Sequence, residues 1–306
     1  MTLNELKYIV AVARERHFGR AAEACHVSQP TLSVAVRKLE DELGVSLFER
    51  RKGDVSLTAI GEQVVSQAQR VLEEAGNIRE IAEQGRDQLA GPLRMGAIYT
   101  IGPYVLPYLI PQLADAAPRM PLIVEENYTS VLCDKLKQGE LDLILISLPF
   151  DEPGIRVQPL YEEPFVLLIP SSHPFNQQEA VSVEELSREN VLLLGAGHCF
   201  RDQVLEICPD CLGKSSDGYP RHTLEGSSLE TIRYMVASGL GVTVLPCTAA
   251  GADRFSQRLL KVRRFADRSP SRRVALAWRK SFPRPEAVEV VRETLLRVRL
   301  SCTHTL

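Results

Sequence analysis

The sequence predicts a multidomain chain: an all-α winged helix-turn-helix domain, a long linker helix, and an α/β domain of two subdomains. Three observations predict it. The first sixty residues hold short helices around a small-residue elbow, followed by a basic hairpin. The next stretch repeats apolar residues in steps of four and three. Beyond Pro92, short apolar runs alternate with helical periodicities, the pattern of βαβ units. At 306 residues the chain has room for two or three domains, and 44% apolar with 25% charged residues is a globular composition. The domains are expected at 1–58, 59–90 and 91–306. The last divides into one subdomain of 91–162 with 266–306 and another of 163–265.

A net charge of −3 carries no global basic signature, so a nucleic-acid partner has to meet a local positive surface. The apolar run Tyr8–Ala13 leads into Arg14-Glu15-Arg16, the reverse of a signal peptide's order. No run approaches the ~18 residues of a membrane span. A cytoplasmic protein without a membrane partner is expected. Seven cysteines at irregular spacing argue against a secreted disulfide framework, and in a reducing compartment a disulfide is transient. No cofactor and no metal are expected. A set of His198, Cys199, Cys208 and Cys211 lacks the paired spacing of zinc ligands on its His-Cys side.

In the first domain, Leu3, Leu6, Ile9, Val10 and Ala13 recur at helical spacing. A second helix is expected over Arg20–Cys25 and a tight turn over His26–Gln29. A third helix over Pro30–Leu43 is capped by Ser28 and stopped by Gly44. Val27, Leu32, Val36 and Leu39 fall on its inner face, leaving Gln29, Thr31, Ser33, Arg37 and Lys38 outside. Gln29 and Arg37 are side chains that read base edges, while Thr31 and Ser33 suit phosphates or thymine methyls. Val45–Thr58 reads as a hairpin with a basic tip around Arg50-Arg51-Lys52, suited to clamping phosphate.

From there, Leu57, Gly61, Val64, Ala68, Val71, Ala75, Ile78, Ala82 and Leu89 form a heptad seam interrupted at Gly85. Such a seam signals a coiled coil, and a long helix packed on its own domain is the plainer reading. A dimer is favoured because a two-fold protein matches a dyad-symmetric operator. Gly91 and Pro92 end the helix.

In the α/β domain, strands are expected at Leu93–Ile98, Leu122–Glu126, Leu141–Ile146, Phe165–Ile169, Val191–Leu194, Val242–Leu245 and Val274–Trp278. Helices are expected at Pro103–Ala116, Ser130–Gln138 and Leu229–Ser238. The alternation implies a parallel sheet in two subdomains facing a cleft, with the chain crossing near 162 and returning near 266. Thr100 follows the first strand and Thr129 the second, each just ahead of a helix start. Their hydroxyls would converge with free N–H groups on a site for a small polar or anionic ligand. Two threonines serving only as caps is an equal alternative.

The segment Gly195–Cys208 reads as a loop turning into a helix, with Phe200, Val204 and Ile207 on one face and Pro209 ending it. Cys199 stands at its start beside His198 and Arg201, surroundings in which a thiol becomes a thiolate. Nine residues of unbroken helix rise about 13.5 Å, whereas bridged cysteines hold their α-carbons roughly 4.4–6.8 Å apart. Cys199 and Cys208 can therefore bond only if the helix comes apart. Cys211 makes a C-x-x-C with Cys208, which is itself a candidate redox dithiol. Cys25, Cys133 and Cys247 read as inert core, and Cys302 as part of a mobile tail.

The series Ala21-Ala22, Ser28-Gln29-Pro30-Thr31-Leu32-Ser33, Leu39-Glu40, Leu43-Gly44, Leu47-Phe48, Arg50 and Leu57-Thr58-Ala59 closely resembles the DNA-binding domain of LysR-type transcriptional regulators. The α/β portion resembles their effector domain, which is itself similar to periplasmic solute-binding proteins. Gly-His-Cys-Phe-Arg-Asp-Gln from 197 to 203 resembles the peroxide-sensing branch of that family. This resemblance implies DNA contacts from Ser28, Gln29, Pro30, Thr31, Ser33, Arg37, Lys38, Arg50 and Arg51. It implies a peroxide pocket of Thr100, Thr129, Gly197, His198, Arg201 and Asp202. There Cys199 would react with hydrogen peroxide, become a sulfenic acid and condense with Cys208. Glutaredoxin or thioredoxin would reduce the resulting disulfide. The same resemblance implies double-stranded DNA as partner, a homodimer or homotetramer, RNA polymerase contact and control of antioxidant genes by a regulator that is not an enzyme. Two other readings stay open. One is a LysR-type regulator that binds a small metabolite in the same cleft. The other is a thiol peroxidase or disulfide oxidoreductase, which leaves the first ninety residues unexplained.

Overall fold

The structure is a computed structural model that describes residues 1–51, 54–84, 87–212, 225–251, 258–266, 269–298, 300 and 302–306. It divides into two units, Met1–Arg86 with Lys137–Glu140, and Asp87–Leu136 with Leu141–Leu306.

In the first unit, Thr2 and Glu5 form a capping box at the start of α1 (Leu3–Glu15). Helix α2 (Phe18–Ala24) begins two residues before the expected start. His17 is the reason: its Nδ1 accepts from Gly19 N at 3.0 Å and Arg20 N at 3.3 Å and so serves as N-cap. The chain turns at His26, whose φ is 56°. Ser28 then caps α3 (Gln29–Leu43), accepting from Thr31 N at 3.3 Å, and Gly44 at φ 70° ends it. Strands β1 (Phe48–Arg51) and β2 (Asp54–Leu57) pair antiparallel as the expected hairpin. Its tip, Lys52-Gly53, lies outside the described residues.

Leu6, Ile9, Val12, Leu32, Val36 and Leu39 make the core between these helices. Helix α4 (Ala59–Gln84) runs for 26 residues. Its Val65 and Ala68 are buried in that same core, with Val64, Val71 and Leu72 partly buried against it. The first half of the heptad seam thus covers its own domain, as the plainer reading has it, whereas Ile78 is 68% exposed. Gly85 lies outside the described residues.

The second unit opens with β3 (Leu93–Ile98), α5 (Gly102–Ala116), β4 (Leu122–Asn127), α6 (Thr129–Lys137) and β5 (Leu143–Ser147). Here β3 pairs parallel with both β4 and β5, the βαβ pattern read from the sequence. The chain continues through β6 (Ile155–Pro170), β7 (Ala180–Val181), α7 (Val183–Ser187), β8 (Leu193–Leu194) and α8 (Cys199–Ile207). Next come β9 (Glu225–Gly226), α9 (Leu229–Ala237), β10 (Thr243–Pro246) and α10 (Cys247–Ala250). The last elements are β11 (Leu260–Phe265), β12 (Ser271–Arg279), α11 (Pro285–Arg297) and β13 (His304–Thr305).

The sheet is mixed rather than parallel. Its order is β4-β3-β5-β12-β6-β11-β7, with β10 and β13 also paired to β6. Strand β12 runs antiparallel to both β5 and β6, so the returning chain closes the parallel part. β6 is one 16-residue strand through the expected crossing point, and the sequence pattern marks only its second half. Pro159, Pro164 and the pair Glu162-Glu163 hide the stretch before Phe165, being residues that strands seldom carry. Two cores result. One lies around β3, β5, β12, α5 and α11; the other gathers the second half of β6 with α8, α9 and β10.

Two cysteines depart from expectation. Cys247 is not inert core, and Cys302 is not on a free tail, because the two are disulfide-bonded with α-carbons 6.1 Å apart. Pairing of β13 with Tyr161 and Glu162 of β6 brings the tail back to the start of α10. Among the described residues, no helix is long and apolar enough to cross a membrane.

Candidate thiol site and nucleic-acid interface

The loop between β8 and α8 is shaped by Gly197, whose φ of +97° suits glycine and few other residues. A Cβ there would also stand 3.4 Å from the Tyr128 ring. The next residue, His198, is 5% exposed. Its ring lies 4.8 Å from that of Tyr128 and 5.8 Å from that of Tyr99, and the two tyrosine rings are 5.4 Å apart. Tyr128, His198 and Tyr99 immediately precede Thr129, Cys199 and Thr100 respectively. The loops that follow β3, β4 and β8 therefore meet, at the carboxyl ends of strands where ligands bind in such folds. No local pattern marks the two tyrosines, since they matter only once three distant loops come together.

Cys199 is the first residue of α8, half-buried, and its thiol is free. It packs against the first core, whereas Phe200 and Val204 of the same helix are buried in the second. Thr100 is 2% exposed and held firmly. Its Oγ1 accepts from Arg272 Nη1 at 2.8 Å, and its carbonyl accepts from Arg272 Nη2 at 2.7 Å. Arg272 Nε in turn donates to Glu163 Oε2 at 2.8 Å, in a pair closed to solvent. The other Glu163 oxygen accepts from the Thr248 amide at 3.2 Å and from the Thr248 hydroxyl. The guanidinium lies 5.5 Å over the Phe200 ring. Arg272 is thus a residue of the site that sequence reasoning missed. The available signal was alternation along β12, which turns Arg272 inward between exposed Ser271 and Arg273.

The two cations expected beside the thiol are otherwise engaged. Burial lowers the pKa of His198, against the opposing effect of its hydrogen bond to the Ser227 backbone, and biases the ring toward neutral. Arg201 Nη1 donates to the Leu194 carbonyl at 2.7 Å and to Glu225 Oε1 at 2.5 Å. What remains at Cys199 is the N-terminus of α8, which no side chain caps. Asp202 is exposed, in the first turn of α8, where a negative charge suits the helix dipole. Thr129 opens α6 and is half-buried. Glu126, at the end of β4, stands where a Cβ on Gly102 would strike it, and burial raises its carboxyl above the usual range. Mid-helix, Gln203 Nε2 donates to Ser147 Oγ at 2.9 Å and to the Leu148 carbonyl at 3.3 Å, tying α8 to the end of β5.

At the far end of α8, Cys208 is bonded to Cys211, with α-carbons 5.4 Å apart across the 3-10 turn Pro209–Leu212. Each is 1% exposed. In this structure α8 is unbroken to Ile207, the state in which the expected bond between Cys199 and Cys208 cannot form. A disulfide oxidoreductase needs its dithiol within reach of a substrate, and this one is closed off.

Residues 3–62 match the bacterial regulatory helix-turn-helix protein family of lysR type, and residues 86–299 match the LysR substrate binding domain. Over 295 residues the chain is 39% identical to the DNA-binding transcriptional dual regulator OxyR of Escherichia coli, covering 96% of this chain and 95% of that protein. This chain belongs to the OxyR branch of the LysR family. A full-length OxyR variant from Pseudomonas aeruginosa is 56% identical, with a TM-score of 0.71 over 97% of this chain and 98% of that one. A hydrogen peroxide-bound OxyR variant from Corynebacterium glutamicum is 32% identical, with a TM-score of 0.63 over 97% of this chain and 92% of that one.

In a LysR-type regulator the helix-turn-helix is the DNA-binding part, and its α3 offers a polar outer face. Gln29, Pro30, Thr31, Arg37 and Lys38 are exposed, and Ser33 is half-buried. The hydroxyls of Ser28 and Thr31 lie 2.7 Å apart and bond each other. Lys38 Nζ sits 3.5 Å from Glu5 of α1, so its charge is partly turned away from the outer face. Arg50 and Arg51 belong to β1, with side chains outside the described set. Val34 is 68% exposed on the same helix.

Proposed function

We propose that this OxyR-family regulator is switched by hydrogen peroxide at Cys199. The observation that supports it most is the meeting of Tyr99, Tyr128 and His198, which sets a free thiol at a helix N-terminus near two threonines. Thr100 Oγ1 already accepts from Arg272, which leaves its own hydrogen available to donate to a peroxide oxygen. Thr129 supplies a second hydroxyl. The Cys199 thiolate attacks one peroxide oxygen, the O–O bond breaks, and hydroxide leaves to take a proton from solvent. Sulfur loses two electrons and becomes a sulfenic acid. Gly197 and His198 shape the pocket, Arg201 fixes the loop through Leu194 and Glu225, and Asp202 favours the helix start.

Cys208, once reduced, condenses with the sulfenic acid and releases water, which requires α8 to come apart. Residues 1–58 bind a dyad-symmetric operator, 59–90 dimerise, and 91–306 sense peroxide. Subdomains of 91–162 with 266–306 and of 163–265 move apart or together as α8 refolds. Dimers assemble into tetramers in the cytoplasm, contact RNA polymerase, and are reset by glutaredoxin or thioredoxin.

The test is Cys199→Ser, compared with the parent by DNA footprinting before and after a brief peroxide pulse. Operator binding is expected to remain and the peroxide-induced change in protection to vanish. A normal change in that variant would sink the proposal.

A further inference from the structure

We propose that Cys211 is a second resolving thiol, which takes the disulfide off Cys199 and leaves it on the Cys208–Cys211 pair. This rests on the reading of Cys199 as the peroxide-reactive thiol. Four observations lead to it. Cys208 and Cys211 are bonded at an α-carbon distance of 5.4 Å, within the range that bridged cysteines adopt. The turn that joins them is closed by the Cys211 amide donating to the Cys208 carbonyl at 3.1 Å. Both residues are 1% exposed in the second core, so no dissolved oxidant reaches either sulfur in this fold. Cys199, half-buried and free, is the one thiol of these three with an opening to solvent.

The fold separates the two possible disulfides. A Cys199–Cys208 bond requires α8 to come apart, since nine helical residues span about 13.5 Å. The Cys208–Cys211 bond leaves α8 whole, with the Cys208 amide still donating to the Val204 carbonyl at 3.0 Å. Opening α8 to carry Cys208 to Cys199 also brings along Cys211, only three residues further on. Exchange then restores the helix and the burial of Phe200 and Val204, which favours it in free energy.

The chemistry balances with hydrogen peroxide as the oxidant. Peroxide converts the Cys199 thiolate to a sulfenic acid and hydroxide. The Cys208 thiol condenses with that sulfenic acid, forming a disulfide and water. The Cys211 thiolate then attacks Cys208 Sγ, the new sulfur–sulfur bond forms, and Cys199 leaves as a thiolate. One peroxide has taken two electrons, and they came from Cys208 and Cys211. The open, signalling form is therefore self-limiting, and reduction of the Cys208–Cys211 bond re-arms the sensor.

The full-length protein, fully reduced and freed of reductant, is given an equimolar pulse of hydrogen peroxide under argon. Samples are acid-quenched over time, alkylated, digested and analysed for linked peptides by mass spectrometry. In the parent, the Cys199–Cys208 linkage is expected to rise and then decay, while Cys208–Cys211 accumulates and Cys199 becomes alkylatable again. In Cys211→Ser, and in Cys211→Ala as a control for a buried hydroxyl, the Cys199–Cys208 linkage should persist and the footprint change with it. In Cys199→Ser the Cys208–Cys211 bond should fail to form. The relay is overturned if the parent ends as Cys199–Cys208 with Cys211 alkylated, or if Cys199→Ser closes the pair at the parental rate. Failure of the underlying reading looks different: Cys199 would stay unmodified at every time point.

Discussion

At one end of α8, Cys199 is a free, half-buried thiol whose neighbours reach across to β3, β4 and the first core. At the other end, Cys208 is 1% exposed, bonded to Cys211 and embedded in the second core. A single nine-residue helix thus joins a thiol built for access to one built for seclusion. The contrast shows how a reactive cysteine is kept from its partner. Distance along the helix keeps the sulfurs apart, and the burial of Phe200 and Val204, roughly 1.5–3 kcal/mol each, holds the helix in place. Oxidation at the open end has to overcome that packing before it is recorded at the closed one.

The sharpest way to break the contrast is to attack the support of the open end. Arg272→Met leaves the Glu163 carboxylate buried without its cation, and loss of one partner from a buried pair costs about 3–5 kcal/mol. Trp278, the single tryptophan, lies on β12 and is half-buried, so its fluorescence follows unfolding of this unit alone. Its denaturant midpoint should fall accordingly, while linked-peptide analysis still finds Cys208 joined to Cys211. Adding Glu163→Leu should recover most of the loss, because an apolar pair of similar volume removes the stranded charge. A single variant as stable as the parent would mean that Arg272 does not hold this end together.

A smaller effect is expected from Gly197→Ala. The residue would have to hold φ near +97° and place its Cβ 3.4 Å from Tyr128, a strain of about 1–3 kcal/mol. The His198 ring should shift away from the tyrosines and Cys199 should alkylate at an altered rate, with Cys211 unaffected. Unchanged alkylation of Cys199 would show that the loop does not set the thiol's position.

The parts legible in the sequence were those whose signals are local. Ser28 and Gly44 bound α3 through their own backbone geometry, and the parallel run from β3 to β5 follows from alternation of short segments. The Cys199 end was legible because its motif is contiguous. Arg272 was not, since its partner Glu163 lies 109 residues away and only the fold makes burial of that arginine tolerable. The same holds for Cys247 and Cys302, whose separation of 55 residues carries no pattern. The engagement of Arg201 was not legible either: it is a neighbour of Cys199 in sequence, but its partner Glu225 lies 24 residues further on.

The mildest test uses pH, and it bears on one end of α8 only. While bonded, Cys208 and Cys211 have no proton to exchange. His198 does, and burial lowers its pKa in the folded chain below the ordinary value of about 6.5. The hydrogen bond to the Ser227 backbone favours the cationic ring, but desolvation by burial outweighs it. Between the folded and unfolded values the unfolded chain binds more protons, so stability rises with pH in that window. As pH falls below about 6.5, His198 subtracts stability until its folded pKa is passed. The melting temperature of the parent, followed through Trp278, should therefore drop more steeply over this range than that of His198→Asn. Parallel curves would mean that the ring meets water in solution, and the open end of α8 would then be more open than its aromatic contacts imply.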